Sequence, residues 1–305
     1  MPLFLTLTEI NSMKRRTFIT LGSLAGAGLL LNHTTMGSTF LSSLTEQDYL
    51  MPVLFMGHGS PMNAIESNSY TEGWKKLVKD ITTPKAILVI SAHWETKGTK
   101  VLAVPQPKMI YDMYGFPKPL YEVNYPAPGS PTLAQEIKDN VKFTEIGLDH
   151  DWGFDHGAWS ILVHMYPEAT IPSFQLSLNT TRDMQWHYDL AKELSFLRKK
   201  GVLIVSSGNI VHNLRYMAYM NEKPLDWALE FDAKSTELIN KGDHASLINY
   251  KSLGSAAEIS VNSAEHYIPL LYTLALQQKD EPITYANHDD KNTLIGSFMR
   301  SLKIG

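Results

Sequence analysis

From Tyr49 onward, short runs of aliphatic and β-branched residues alternate with longer stretches whose apolar positions fall on one helical face. The short runs predict strands over 53–56, 86–91, 100–104, 171–178, 202–206 and 283–286. Those at 86–90 and 202–205 are apolar almost without interruption, the pattern of strands covered on both faces. The longer stretches predict helices. One covers 70–81, where Trp74, Leu77, Val78 and Ile81 recur; another covers 133–141, with Ser130 as N-cap and Pro131 in the first turn. Two more, over 183–200 and 225–241, are stopped by Gly201 and Gly242, and a last one covers 266–277. A further amphipathic helix is expected after His156. Such alternation predicts an α/β fold: a single-domain α/β/α sandwich over 46–305 with a mainly parallel or mixed central sheet. Between 105 and 131 the periodicity lapses into a proline-rich segment holding Tyr111, Tyr114, Phe116, Tyr121 and Tyr125, a long aromatic loop that is either a binding element or a surface cover for the sheet.

Residues 1–45 follow another pattern. Lys14-Arg15-Arg16-Thr17-Phe18-Ile19 leads into an uncharged, Gly-rich apolar run ending at Leu31, too short for a membrane span and suited to a signal segment. The paired arginines resemble a twin-arginine export signal, with Met13 as its natural start and processing within 33–45. An uncleaved N-terminal anchor is the alternative. The expectation is a periplasmic protein delivered by the twin-arginine translocation machinery, with a cytoplasmic protein as the alternative.

Composition narrows the chemistry. The 305 residues are 44% hydrophobic, enough for a large core, and the net charge of −4 offers no electrostatic support for nucleic-acid binding. There is no cysteine, so thiolate metal sites and thiol nucleophiles are excluded. A metal must then be held by His, Asp or Glu, which suits Zn, Fe(II), Mn or Cu.

Histidines supply the candidates. His58 follows the run Val53-Leu-Phe-Met-Gly57, His93 follows Ala86-Ile-Leu-Val-Ile-Ser-Ala92, and His212 follows Val202-Leu-Ile-Val-Ser-Ser-Gly-Asn-Ile-Val211. His266 opens the last predicted helix, beside Glu265. In α/β sheets ligands bind beyond the carboxyl ends of strands, so the four predict a metal site at the strand ends. Neighbouring helical residues point about 100° apart, so Glu265 or His266, not both, reaches it. His156, with Asp155 beside it to orient the ring, is expected to donate a proton or bind substrate. His150, near His156 but in a charged turn, reads either way. The other histidines read as ordinary: His33 lies in the leader, His164 within a helix, His187 and His244 on polar helix faces, and His288 in a terminal loop.

Six segments in order, Gly57-His-Gly-Ser-Pro-Met-Asn63, Ser91-Ala-His-Trp-Glu95, Tyr125-Pro-Ala-Pro-Gly129, Asp155-His-Gly-Ala-Trp159, Gly208-Asn-Ile-Val-His-Asn-Leu214 and Glu265-His-Tyr-Ile-Pro-Leu-Leu271, resemble the 4,5-DOPA extradiol dioxygenase family. That family belongs to the class III extradiol ring-cleavage enzymes. The resemblance runs from about Pro52 to the C-terminus and implies a divalent metal, Fe(II) for ring cleavage or Zn(II) as in some members. It implies His58 and His93 as the first two ligands and His212 as ligand or acid/base. His266 would complete the site, and His156 would contact substrate or oxygen. The implied reaction inserts both atoms of O₂ into a catechol, DOPA-like, to give a muconic semialdehyde. A zinc hydrolase using the same histidines with Glu265 or Asp155 as base, or a non-catalytic periplasmic binder, are the competing readings. The sequence carries no indication of oligomeric state.

Overall fold

The computed structural model describes residues 44–219, 225–288 and 298–305. Apart from Leu44 and Thr45, the expected leader over 1–45 lies outside the described residues. No helix among the described residues is long and apolar enough to cross a membrane.

The predicted alternation builds one mixed sheet of eight strands. In chain order these are β1 (Val53–Gly57), β2 (Ala86–Thr96), β3 (Thr99–Leu102), β5 (Ile146–Asp149), β7 (Ser173–Asn179), β8 (Val202–Gly208), β9 (Ile283–Ala286) and β10 (Ser301–Ile304). Across the sheet they run β5-β3-β7-β2-β8-β1-β10-β9. The central four, β7, β2, β8 and β1, are parallel, whereas β3 against β7 and the β1–β10–β9 edge are antiparallel. A separate parallel pair joins β4 (Lys108–Met109) to β6 (Gly153–Phe154). Every residue of β1, β7 and β8 is buried; in β1 and β8 this shows as a continuous apolar run, whereas β7 buries Ser173, Gln175, Ser177 and Asn179 between its apolar residues.

Helices cover the sheet. In chain order they are α1 (Ser69–Val78), α2 (Pro131–Asn140), α3 (His156–Met165), α4 (Met184–Lys192), α5 (Phe196–Lys199), α6 (Asp226–Lys241), α7 (His244–Ile248), α8 (Ser255–Ser260) and α9 (Ile268–Ala275). Helix α3 packs on β2 and β8 and against α1, while α9 packs on β8, β1 and β2 and against α4. Two helices that share strands without packing on each other occupy opposite faces, giving the expected α/β/α layering. Helix starts are capped as sequence chemistry dictates. Asn68 forms a reciprocal capping box with Thr71, and Asp155 and Asp183 accept from the backbone at Ala158 and Trp186. Helix α6 ends where Gly242 adopts φ 67°, a left-handed conformation that glycine adopts without a Cβ penalty.

Four expectations need correction. The strand predicted over 86–91 runs on to Thr96, through a register irregularity between Ile90 and Glu95, so His93 lies within β2 and not beyond it. The helix predicted over 183–200 is two, α4 and α5, because the chain turns through 193–195 without a new side-chain cap. The helix predicted over 266–277 begins at Ile268, with Pro269 in its first turn, which leaves Glu265 and His266 in the preceding turn. His187, assigned to a polar face, is fully buried. Strands β5 and β10 were not anticipated; β10 comes from the extreme C-terminus and covers the β1 edge.

Candidate metal centre

Strand register sets the site. Gly57 of β1 pairs with Gly208 of β8, and Ser91 of β2 pairs with Ser207 of β8, so β1 and β8 end together beside the point where β2 carries on past its register irregularity. His58 is the next residue after Gly57, and His93 sits two beyond Ser91. The chain past β8 approaches the turn before α9 so closely that a Cβ on Gly208 would overlap the carbonyl of His266. That approach lets the backbone of Asn209 donate to His266 O at 2.8 Å and brings His266 to the strand ends.

The result is a cluster of five histidines. Nε2 of His58 and Nε2 of His93 are 3.1 Å apart, and with His266 they present three ligand atoms within 4.8 Å of one another. His212 stacks flat on His266, ring centroids 3.5 Å apart and planes at 5°. His156 lies on the other side, its ring 3.8 Å from that of His93. The structure therefore gathers all of His58, His93, His156, His212 and His266. Among the described residues, none of His150, His164, His187, His244 or His288 joins a potential metal-binding group.

The electrostatics favour neutral imidazoles. Burial first, and the neighbouring histidines second, hold His58 and His266 well below the ordinary histidine range. Burial lowers His212 to about 4 although Glu265 opposes it, and lowers His156 against the pull of Asp112. Neutral rings keep lone pairs available as metal ligands or as proton acceptors.

Residues 52–293 match the family model described as the catalytic LigB subunit of aromatic ring-opening dioxygenase. The chain belongs to that family. It is 44% identical over 239 residues to the 4,5-DOPA dioxygenase extradiol of Escherichia coli (strain K12), covering 77% of this chain and 88% of the relative. It is 37% identical over 231 residues to that of Beta vulgaris, covering 73% and 86%. A crystal structure of an uncharacterized protein from Escherichia coli K12 superposes with a TM-score of 0.71 at 38% identity, over 84% of this chain and 100% of that one. The protein is thus an oxidoreductase, an extradiol aromatic ring-opening dioxygenase, on a single α/β domain, and this family uses a metal.

The LigB-family site fits such an ion by its donor chemistry. Ser207 Oγ gives its one proton to the Gly157 carbonyl at 2.5 Å and so accepts from Nδ1 of His58 at 3.0 Å. With its proton fixed on Nδ1, His58 turns a bare Nε2 lone pair toward His93 and His266. Nδ1 of His266 is bonded to Glu265 Oε1 at 3.1 Å, and Ser263 donates to the same oxygen at 2.7 Å. Glu265 thereby orients His266, the arrangement common for metal-binding imidazoles.

Two contributors escaped the sequence reading. Asp155 does not orient His156; its carboxylate is buried and accepts from Ser91 Oγ at 2.6 Å, Gln175 Nε2 at 2.7 Å and Ala158 N at 3.2 Å. The partner of His156 is Asp112, from the aromatic loop, with Oδ2 at 2.9 Å from the ring Nδ1. Burial alone would raise the Asp112 carboxyl, but hydrogen bonds from His156 and His93 outweigh it and hold the group far below the carboxylate range. Ser207 is the other; in the sequence it is only a polar residue just past the end of the strand predicted over 202–206.

Proposed function

We propose that the protein is a metal-dependent dioxygenase that opens a catechol ring beside the diol with both atoms of O₂, releasing a muconic semialdehyde. The observation that carries this reading is the convergence of His58, His93 and His266 with two further neutral histidines, His212 and His156, flanking them. Fe(II), when bound, supplies a common centre for the catechol oxygens and O₂ and a path for electrons from ring to oxygen.

The chain's own residues account for the rest. His212 stays neutral at pH 7 beside His266, which supports a role for it in taking a catechol hydroxyl proton and returning it later. His156, across the site, contacts the substrate or oxygen from the opposite side. The loop over 105–131 supplies flat aromatic surface. Tyr111 stands 6.0 Å from Trp159 and 6.1 Å from Tyr121, ring to ring, and its hydroxyl is tied to Val123 O at 2.7 Å. A zinc hydrolase would need a free carboxylate base. Glu265 and Asp155, the candidates for that role, are both engaged in hydrogen bonds.

Anaerobic loading of metal-free protein with Fe(II) or Zn(II), then O₂ uptake with a catechol panel headed by DOPA, tests the proposal. Stoichiometric O₂ uptake and a yellow ring-fission product with Fe(II) only is the expected result. Ester or amide turnover with Zn(II), or no O₂ uptake with any catechol, would refute it. We also propose that residues 1–45 direct export of the folded protein to the periplasm; recovery of the mature protein in the cytosolic fraction alone would sink that part.

A further inference from the structure

One carboxylate in the molecule serves two imidazoles that hold different posts. Asp112 Oδ2 lies 3.1 Å from Nδ1 of His93 and 2.9 Å from Nδ1 of His156, while Oδ1 accepts from the backbone nitrogen of His156 at 2.9 Å. A carboxylate only accepts, so both rings must present Nδ1–H to it. We propose that Asp112 is a positioning residue that locks His93 and His156 in the Nδ1–H tautomer, offering Nε2 of His93 to the metal and Nε2 of His156 to the substrate side.

Three observations carry this. First, Nε2 of His93 faces Nε2 of His58, whose proton is held on the far nitrogen by Ser207. Two bare nitrogens 3.1 Å apart repel unless a cation lies between them. Second, the segment bearing Asp112 is anchored on the stretch flanking His156 by contacts that do not involve the histidine rings. Lys108–Met109 pairs with Gly153–Phe154, Ile110 N donates to Phe154 O at 2.7 Å, and Trp159 Nε1 donates to Ile110 O at 3.0 Å. The backbone contacts set the carboxylate beside both rings. Third, the Asp112 side chain is only 19% exposed, so water competes weakly for its oxygens. The aromatic loop is thus part of the metal site's construction as well as a wall beside it.

The inference rests on the metal-dependent reading above, and its test separates the two. Asp112→Asn keeps the shape but has one acceptor oxygen. In either amide orientation an NH₂ group faces an N–H donor, either the two ring Nδ1–H groups or the His156 amide. Rings that respond by moving the proton to Nε2 withdraw the His93 lone pair. Chelator competition on metal-free protein should show Fe(II) and Zn(II) affinity falling by about 10–100-fold in the variant. At saturating Fe(II), kcat should drop more than the KM for catechol changes, through His156. Independently of any variant, long-range ¹H–¹⁵N spectra of the Zn(II)-loaded wild type, where a cation relieves the 3.1 Å pair of bare nitrogens, should show both histidines as Nδ1–H tautomers. Nε2–H tautomers in the wild type, or a folded Asn variant with metal affinity and kcat within about twofold of wild type, would overturn the assignment. Failure of the functional reading looks different: wild-type protein would take up no metal, or no O₂ with a catechol, whatever its tautomers.

Discussion

His187 and His58 are both buried, at 0% and 1% exposure, and burial lowers the basicity of both. They nevertheless do opposite things. His187 spends both nitrogens on neutral protein groups: Tyr272 OH lies 3.0 Å from Nδ1, and Nε2 donates to Asn179 O across 3.2 Å. It is a strut joining α4 to α9 and to the end of β7. His58 spends one nitrogen on Ser207 and turns the other toward more imidazoles. Neither burial nor depressed basicity marks a site. What marks it is a lone pair for which the protein supplies no donor.

The comparison breaks most completely at the ligands. His58→Ala should retain the fold by circular dichroism yet show no Fe(II) retention and no O₂ uptake with catechol; His187→Phe should keep both. If the two variants lose metal alike, the distinction fails. A pH titration of stability separates them next. His187 titrates near 4 in the native state and at about 6.5 in the unfolded chain, so below 6.5 the unfolded state takes up a proton that the native state refuses. Stability should hold above 6.5 and fall by about 3 kcal/mol as pH drops to 4. In denaturant melts of metal-free protein, the His187→Phe variant should lack that share of the slope. It should also be less stable at pH 7 by about 1–3 kcal/mol, for the partners left unbonded. An unchanged slope would mean that His187 takes up its proton alike in the folded and unfolded protein. A smaller effect is expected at Ser207→Ala, which frees the His58 tautomer. Metal affinity by chelator competition should fall by about 10–100-fold with little change in thermal midpoint. Wild-type affinity there would show that Ser207 does not set the ring.

What the chain revealed by itself follows from the range of each interaction. Strands β1, β2 and β8 were legible because burial on both faces leaves an unbroken apolar run, and His58 was placed by the strand that precedes it. Gly242 announced the end of α6 through its own backbone geometry. Asp112 was not legible. It sits in a loop without periodicity, and its role arises from a spatial meeting with His93 and His156 that no local pattern encodes. Asp155, adjacent to His156 in sequence, was the nearer guess and the wrong one, because a residue at a helix N-cap turns its carboxylate to the backbone of the next turn. His187 was misjudged for a related reason. The helix bearing it is polar overall, and the packing of α9 above it decided its burial.

The ordering of the sheet ties the metal centre to pairings between distant parts of the chain. His58 follows the first strand, His93 lies in the second, and His266 is held by a turn whose carbonyl is captured only once β8 is in place. The first strand is itself flanked by the final one, Val53 against Ile304. Pairings so distant along the chain must close long loops, which slows their formation. Metal capture by this protein would therefore report completed folding: a nascent or truncated chain offers scattered imidazoles, and only the closed sheet offers a chelate.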